Sequence, residues 1–512
     1  MKLTPSASSG SLTPRTVPKR GELLLGIDLG SSSVKATLVS AERGIVASTS
    51  REVALYRDYP GWAEADPAEW WAATCEVIAR LLLDTGSSAD DVAAIAVSGM
   101  VPAVVICDEK GAPLRRAILQ NDARATDEIR ELQRALEHLD LLRLTGSVLS
   151  QQSVSPTVLW LARREPELWS RTASVQGSYD WLARQLGAVA HVEQNWALES
   201  GLYDLNLRPL HSVPEATNIT WPEFLPVLRP GTVVGDVTAE AARLSGLREG
   251  TAIVVGGADH VLSAYGAGLV KTGDALIKLG GAGDILAVSE QVFLDWRLYL
   301  DAHPIPGLWL PNGCMATSGS VLRWEQGLFG GASLSDLDEE ARNSTPGALV
   351  SLPYFLGEKT PLHDPDLRGV IAGLHLGSTR GDLHRSFLEG IAYGFKAHVD
   401  VFAEGGLILG DVRVTNGGSH SRLWREILAD VLHRDLISII NHPGASYGAA
   451  VIAGIGTGLI HDWSYVAGAL EKGEVISPTP ENVAVYEERY QQFMQLSENT
   501  ATISHSLARR PL

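Results

Sequence analysis

Leu23–Val39 reads LLLGIDLGSSSVKATLV. An apolar run, Leu23–Ile27, meets a small, hydroxyl-rich turn, Asp28-Leu29-Gly30-Ser31-Ser32-Ser33, and a second apolar run follows at Val34–Val39. The pattern predicts strand, tight turn, strand. Asp28 stands where the buried strand ends. Backbone N–H groups of such a turn can converge on an anion, and serine hydroxyls add donors without bulk. The same segment is also compatible with an ordinary Gly/Ser hairpin.

The theme returns half a chain later. Ala252–Val255 runs into Gly256-Gly257-Ala258-Asp259, and Ala275–Leu279 leads through Gly280-Gly281-Ala282-Gly283 to Ile285–Val288. Two similar hairpins at that separation predict a duplicated domain with a cleft between the halves. The natural boundary is Gly266–Gly268, giving domains 22–265 and 266–512. Between and after them the chain alternates strands with helices. The clearest helix opens at Asp66-Pro67, with Glu69 three residues after the cap. Its apolar positions Trp70, Trp71, Thr74, Val77, Ile78, Leu81 and Leu82 repeat at helical spacing, and Gly86 ends it. Further helices are expected at Pro156–Arg164, Tyr179–Leu186, Asp382–Phe402, Arg422–Val431 and Glu481–Leu496. Alternation of this kind means an α/β fold with helices on sheet faces.

The chain has 512 residues, ample for two large domains. Its 42 Lys+Arg against 60 Asp+Glu leave a net charge of −18, which works against nucleic acid or an anionic membrane as partner. Three scattered cysteines, Cys75, Cys107 and Cys314, build neither a disulfide framework nor a zinc site and suit a reducing cytoplasm. Residues 1–21 are rich in Ser, Thr and Pro and lack an apolar core, so a disordered tail rather than a secretory signal is expected.

No G-x-x-x-x-G-K-[ST], no dinucleotide fingerprint and no H-E-x-x-H occurs. The two small-residue turns therefore remain as the phosphate device. Asp28 can hold Mg²⁺ through water, and Lys35 can reach a phosphate. Asp259 suits a base that takes a proton from an attacking alcohol; the local sequence suits a helix cap at least as well.

Seven segments in order resemble the FGGY family of carbohydrate kinases. They are GIDLGSSSVKATLV, GWAEADPAEWW, DEKGAPLRRAILQNDARA, VVGGADHVLSAYGAG, DALIKLGGAGDIL, PYFLGEKTPLHDPDLRGVIAGL, and TNGGSHSRLWREILADVL with GASYGAAVIAGIG. The resemblance implies an actin-like (ribonuclease H-like) ATPase fold of two domains, with ATP and sugar meeting in the interdomain cleft. It makes Asp259 the catalytic base and Asp28 the Mg²⁺-linked acid. It implies ATP contacts at Ser31, Ser32, Ser33, Lys35, Gly280, Gly281, Gly319, Arg323, Gly418 and Arg422. Gly281 replaces a usual threonine.

The substrate side departs from the family pattern. Met100-Val101-Pro102 stands where xylulokinases read Gln-Met-His, and Gln120 replaces an aromatic before Asn121-Asp122. Gln152 falls where glycerol kinases have an aromatic contact, and His260 follows the catalytic acid at the pocket. A missing contact to one sugar hydroxyl costs about 1–3 kcal/mol, so specificity is expected to shift while transfer chemistry stays. The implied reaction is ATP-dependent phosphorylation of a small sugar. A ketopentose such as xylulose or ribulose leads, ahead of a sugar alcohol, a tetritol or an L-sugar. An actin-like ATPase and a non-catalytic sugar-binding regulator are the rivals from other classes. A homodimer is the commonest state for soluble oligomers.

Overall fold

The computed structural model describes residues 21–508 apart from 441, 443 and 469; the expected tail therefore lies, except for Gly21, outside the described residues. Two sheets of similar design carry the fold. The first contains β1 (Leu23–Leu29), β2 (Ser33–Ser40), β3 (Gly44–Glu52), β4 (Val92–Gly99), β5 (Val233–Asp236) and β6 (Ala252–Ala258), in the order β5-β6-β4-β1-β2-β3. The second contains β7 (Ala275–Leu279), β8 (Gly283–Ala287), β9 (Tyr299–Ala302), β10 (Trp309–Met315), β11 (Val412–Thr415), β12 (Leu436–Ile439) and β13 (Lys472–Ile476), in the order β9-β10-β8-β7-β11-β12-β13.

The two hairpins sit at equivalent places. β1 runs antiparallel to β2 and parallel to β4, as β7 runs antiparallel to β8 and parallel to β11. This is the duplication anticipated from the repeated turns.

α1 (Pro67–Thr85) starts as its sequence requires: Asp66 accepts from the Ala68 N–H at 2.9 Å, and Gly86 closes the helix at φ 66°. Glu69 does not complete a capping box. Its carboxylate turns outward to accept from the Ala54 N–H and the Tyr56 hydroxyl, because the segment after β3 passes close enough to use it. The other expected helices form with wider limits: α2 (Val154–Arg164), α3 (Ser178–Leu186), α6 (Arg380–Glu404), α7 (Arg422–Leu432) and Pro480–Ala508.

Each sheet has its own hydrophobic core. One helix crosses this division. α8 (Ala445–Thr457) follows β12 of the second sheet, yet Ala445–Ala453 pack into the first core. It lies against β1 and against α4 (Asp259–Gly266). Glycines make the approach possible: a Cβ at Gly26 would fall 1.8 Å from the Ser446 carbonyl oxygen, and one at Gly448 2.3 Å from that of Leu262. Among the described residues no helix is long and apolar enough to cross a membrane.

Candidate active site

The hairpin tips carry matched charges. In the first, Asp28 is the register partner of Lys35. In the second, Lys278 is the partner of Asp284, with Nζ 3.6 Å from Oδ2. Burial and the negative charge of Asp259 push the Asp28 carboxyl up to about 7, against the pull of Lys35 and Lys278. Lys35 is lowered by burial, opposed by Asp28. Burial also acts to lower Lys278, but Asp284, Asp259, Cys314 and Asp28 together raise it. Acid and base groups from both sheets thus share one field. Lys278 was not singled out in the sequence, although it lies two residues before Gly280.

Ser31–Ser33 form the open tip of the first hairpin, where the Gly30 N–H donates to the Ser33 carbonyl at 2.9 Å. Ser32 is exposed, and Ser31 and Ser33 are half-buried. The Oδ1 of Asp28 is buried and has no hydrogen-bond partner. A hard divalent cation needs such an oxygen, so this position fits Mg²⁺.

Asp259 is the first residue of α4; the cap position is Ala258. Its Oδ1 accepts from the His260 N–H at 2.6 Å, and about a third of its side chain remains exposed. The His260 ring lies between carboxylates. Its Nε2 is 2.7 Å from Asp301 Oδ2 and 3.9 Å from Glu199 Oε1, and its Nδ1 is 3.5 Å from Asp259 Oδ1. Asn312 donates to the same Asp301 oxygen at 2.8 Å. Burial acts to lower the imidazole, but Asp301, Asp259 and Glu199 raise it well above its usual value. Burial and Asp301 raise Glu199. Nothing local in the sequence marks Asp301, on edge strand β9, or Glu199, on the helix Gln194–Glu199; only the fold brings them to His260.

Behind the second turn lies a cleft of about 670 Å³. Gly280, Gly281, Gly319, Arg323, Gly418 and Arg422 all line it, with Trp424, Asp338 and His384. The turn is joined to α5 (Gly319–Leu328): the Gly319 N–H donates to the Gly280 carbonyl and the Ser318 N–H to that of Gly281, each at 2.8 Å. A Cβ at Gly281 would meet the Arg323 guanidinium at 2.7 Å, so the missing threonine goes with an arginine lying over the turn. Gly418 is required by packing, since its Cβ would stand 2.4 Å from the Trp424 ring. Arg422, at the rim, pairs with Glu426 and Glu474.

One wall of the cleft rests on a buried cation. His384 lies 2.7 Å from Glu325 and 3.0 Å from Asp338, and Asp338 accepts from the Ser421 hydroxyl at 2.7 Å. Burial opposes the charge, yet the two carboxylates push the imidazole up to about 9. A value raised above the unfolded ~6.5 means stability fully present below pH 6.5 and lost as pH rises through about 9. His384→Gln should cost about 2 kcal/mol at pH 6, and the gap to wild type should close by pH 10 in denaturant titrations. An equal loss at both pH values would refute the charge assignment.

Of the residues expected to take substrate, Met100, Val101 and Pro102 are buried at the end of β4, and the Met100 carbonyl accepts from Ser178 at 3.0 Å. Gln152 is half-buried, with its N–H on Ser150 Oγ at 3.1 Å. The structure forms no hydrogen bond from these four residues to Asp259 or His260. Beyond Gln120, whose Oε1 is buried without a partner, Arg124 is gripped by Asp122 at 2.7 Å and stacks 3.6 Å above Trp62.

Comparison with known proteins fits this geometry. The model of the N-terminal domain of the FGGY family of carbohydrate kinases matches residues 23–266, and that of its C-terminal domain residues 296–457. The xylulose kinase of Staphylococcus epidermidis is 31% identical over 94% of this chain and 99% of its own. That of Lactococcus lactis is 30% identical over 94% and 98%. The crystal structure of xylulose kinase from Rhodospirillum rubrum superposes with a TM-score of 0.88, at 39% identity over 94% of this chain and 100% of that one. With paired small-residue turns on an actin-like frame and both domain models matched in order, the chain belongs to the FGGY family of carbohydrate kinases.

Proposed function

We propose that this kinase transfers the γ-phosphoryl group of ATP to a hydroxyl of a ketopentose, D-xylulose being the first choice. The carrying observation is the pair of equivalent small-residue hairpins, Asp28 opposite Lys35 in one and Lys278 3.6 Å from Asp284 in the other, with the second turn lining a cleft of about 670 Å³. The named activity of relatives aligned along almost the whole chain supports the choice of sugar.

In this reading the triphosphate lies between Ser31–Ser33 and Gly280–Gly281, with Lys35 and Lys278 nearby. The adenosine end occupies the cleft lined by Gly319, Arg323, Gly418 and Arg422. Asp28 would hold Mg²⁺, which supplies charge neutralisation on phosphate oxygens when bound. Asp259 orients the sugar hydroxyl and takes its proton. The hydroxyl oxygen bonds to the γ-phosphorus as the bond to the β,γ-bridging oxygen breaks, so ADP leaves with the former bridge oxygen. Met100, Val101, Pro102, Gln152 and His260 shape the acceptor side. The reaction belongs in the cytoplasm, which supplies ATP and keeps the three free thiols reduced.

A coupled ADP assay over ketoses, polyols and sugar acids tests this. D-Xylulose should give the highest kcat/KM, at least tenfold above erythritol and gluconate. A tetritol or sugar acid at the top of the panel would replace the substrate assignment. Sugar-independent ATP hydrolysis at the same rate would replace the reaction.

A further inference from the structure

Asp301 comes from the edge strand of the second sheet, whereas His260 and Asp259 stand on the helix that follows the first. The Asp301 side chain is 2% exposed, and its Oδ1 has no partner. Its other oxygen is held by Asn312 Nδ2 at 2.8 Å and lies 2.7 Å from His260 Nε2. The strand cannot drift from the first lobe, because Asn195 exchanges two hydrogen bonds with Ala302, at 2.7 and 3.0 Å. A fixed carboxylate therefore sets the ring, and the opposite ring nitrogen faces the oxygen of Asp259 that the His260 N–H already holds.

We propose that Asp301 and His260 are a positioning dyad for Asp259, turning its free Oδ2 toward the sugar hydroxyl by holding Oδ1 from two directions. This rests on Asp259 being the base. A ring with one nitrogen bound by a buried acid and the other facing a working carboxylate keeps a single orientation, as in other acid–histidine pairs. The groups facing the imidazole are Asp259, Glu199 and Asp301, with neutral Asn312 behind. With Asp301 supplying much of the charge that keeps the ring protonated, its removal lets the proton leave at lower pH.

The test uses the full-length enzyme with ATP and the best sugar of the panel. Asp301→Asn and His260→Ala should each lower kcat roughly 10²-fold, the scale of a misplaced catalytic group. In Asp301→Asn, KM for sugar and ATP should stay within about threefold of wild type, a split expected when only transition-state geometry is lost. The alkaline limb of the kcat profile should move to lower pH in Asp301→Asn. His260→Asn, whose amide nitrogen takes the place of Nδ1, should recover at least about tenfold of the loss in His260→Ala. This variant also keeps the test open if Asp301→Asn fails to fold. Wild-type kcat in Asp301→Asn, or a loss confined to sugar KM, would overturn the dyad. A wild-type enzyme inactive on every sugar, or undiminished turnover in an Asp259 variant, would instead overturn the reading beneath it.

Discussion

Asp259→Asn should fold normally and turn over sugar about 10²–10⁴-fold more slowly, the range for loss of a general base. The substitution keeps the shape and the acceptor oxygen for the His260 N–H, so the start of α4 has no reason to shift. About a third of the aspartate side chain is exposed, and the melting temperature should change by no more than a degree or two. What disappears is the ability to take a proton. The loss should fall on kcat. Asp259 is also one of the charges that raise Asp28, so removing it eases ionisation of Asp28 and favours bound nucleotide. KM for ATP should hold or drop slightly. Steady-state kinetics on the purified variant decide the matter: turnover within threefold of wild type would remove Asp259 from the chemistry.

The side proposed here to hold nucleotide is legible in sequence because its parts are local. A small-residue turn after an apolar run announces a hairpin whatever packs around it. Its acid and lysine, Asp28 and Lys35, are register partners fixed by the turn itself. Six residues placed on the second half by resemblance line one cleft. The acceptor side is another matter. Glu199 and Asp301 lie on unremarkable segments 102 residues apart by number, and they meet only because β9 docks on the helix ending at Glu199. Glu69 shows the same limit at short range: three residues after a cap is necessary for a capping box, but the chain after β3 claimed the carboxylate first. Most of all, the position of α8 was hidden. Ala445–Gly454 is buried without interruption, so it has no polar face to say which sheet it serves.

That hidden packing makes Gly26→Ala the most damaging small substitution expected outside the chemistry. Gly26 lies in mid-strand on β1, two residues before Asp28, and its register partner is Thr37. α8 begins directly above: Thr37 and Ser446 share a hydroxyl hydrogen bond of 2.7 Å. An added methyl would sit 1.8 Å from the Ser446 carbonyl oxygen and 2.5 Å from the Ala450 nitrogen. Both are backbone atoms, so no rotamer change gives relief. The helix cannot retreat freely, because Gly448 has it against the Leu262 carbonyl of α4, the helix that carries Asp259. Overpacking of this kind costs about 3 kcal/mol or more, and the displaced helix would carry the candidate base with it. Denaturant titration should show that loss, and kcat should fall in the folded fraction. Gly327→Ala is the control: that glycine is exposed on α5 with no atom within 4 Å of the new Cβ, and it should gain up to about 1 kcal/mol from helix propensity. Equal stability of Gly26→Ala and wild type would mean that α8 does not seat on β1, and the contact joining the first hairpin to the helix of Asp259 would have to be abandoned.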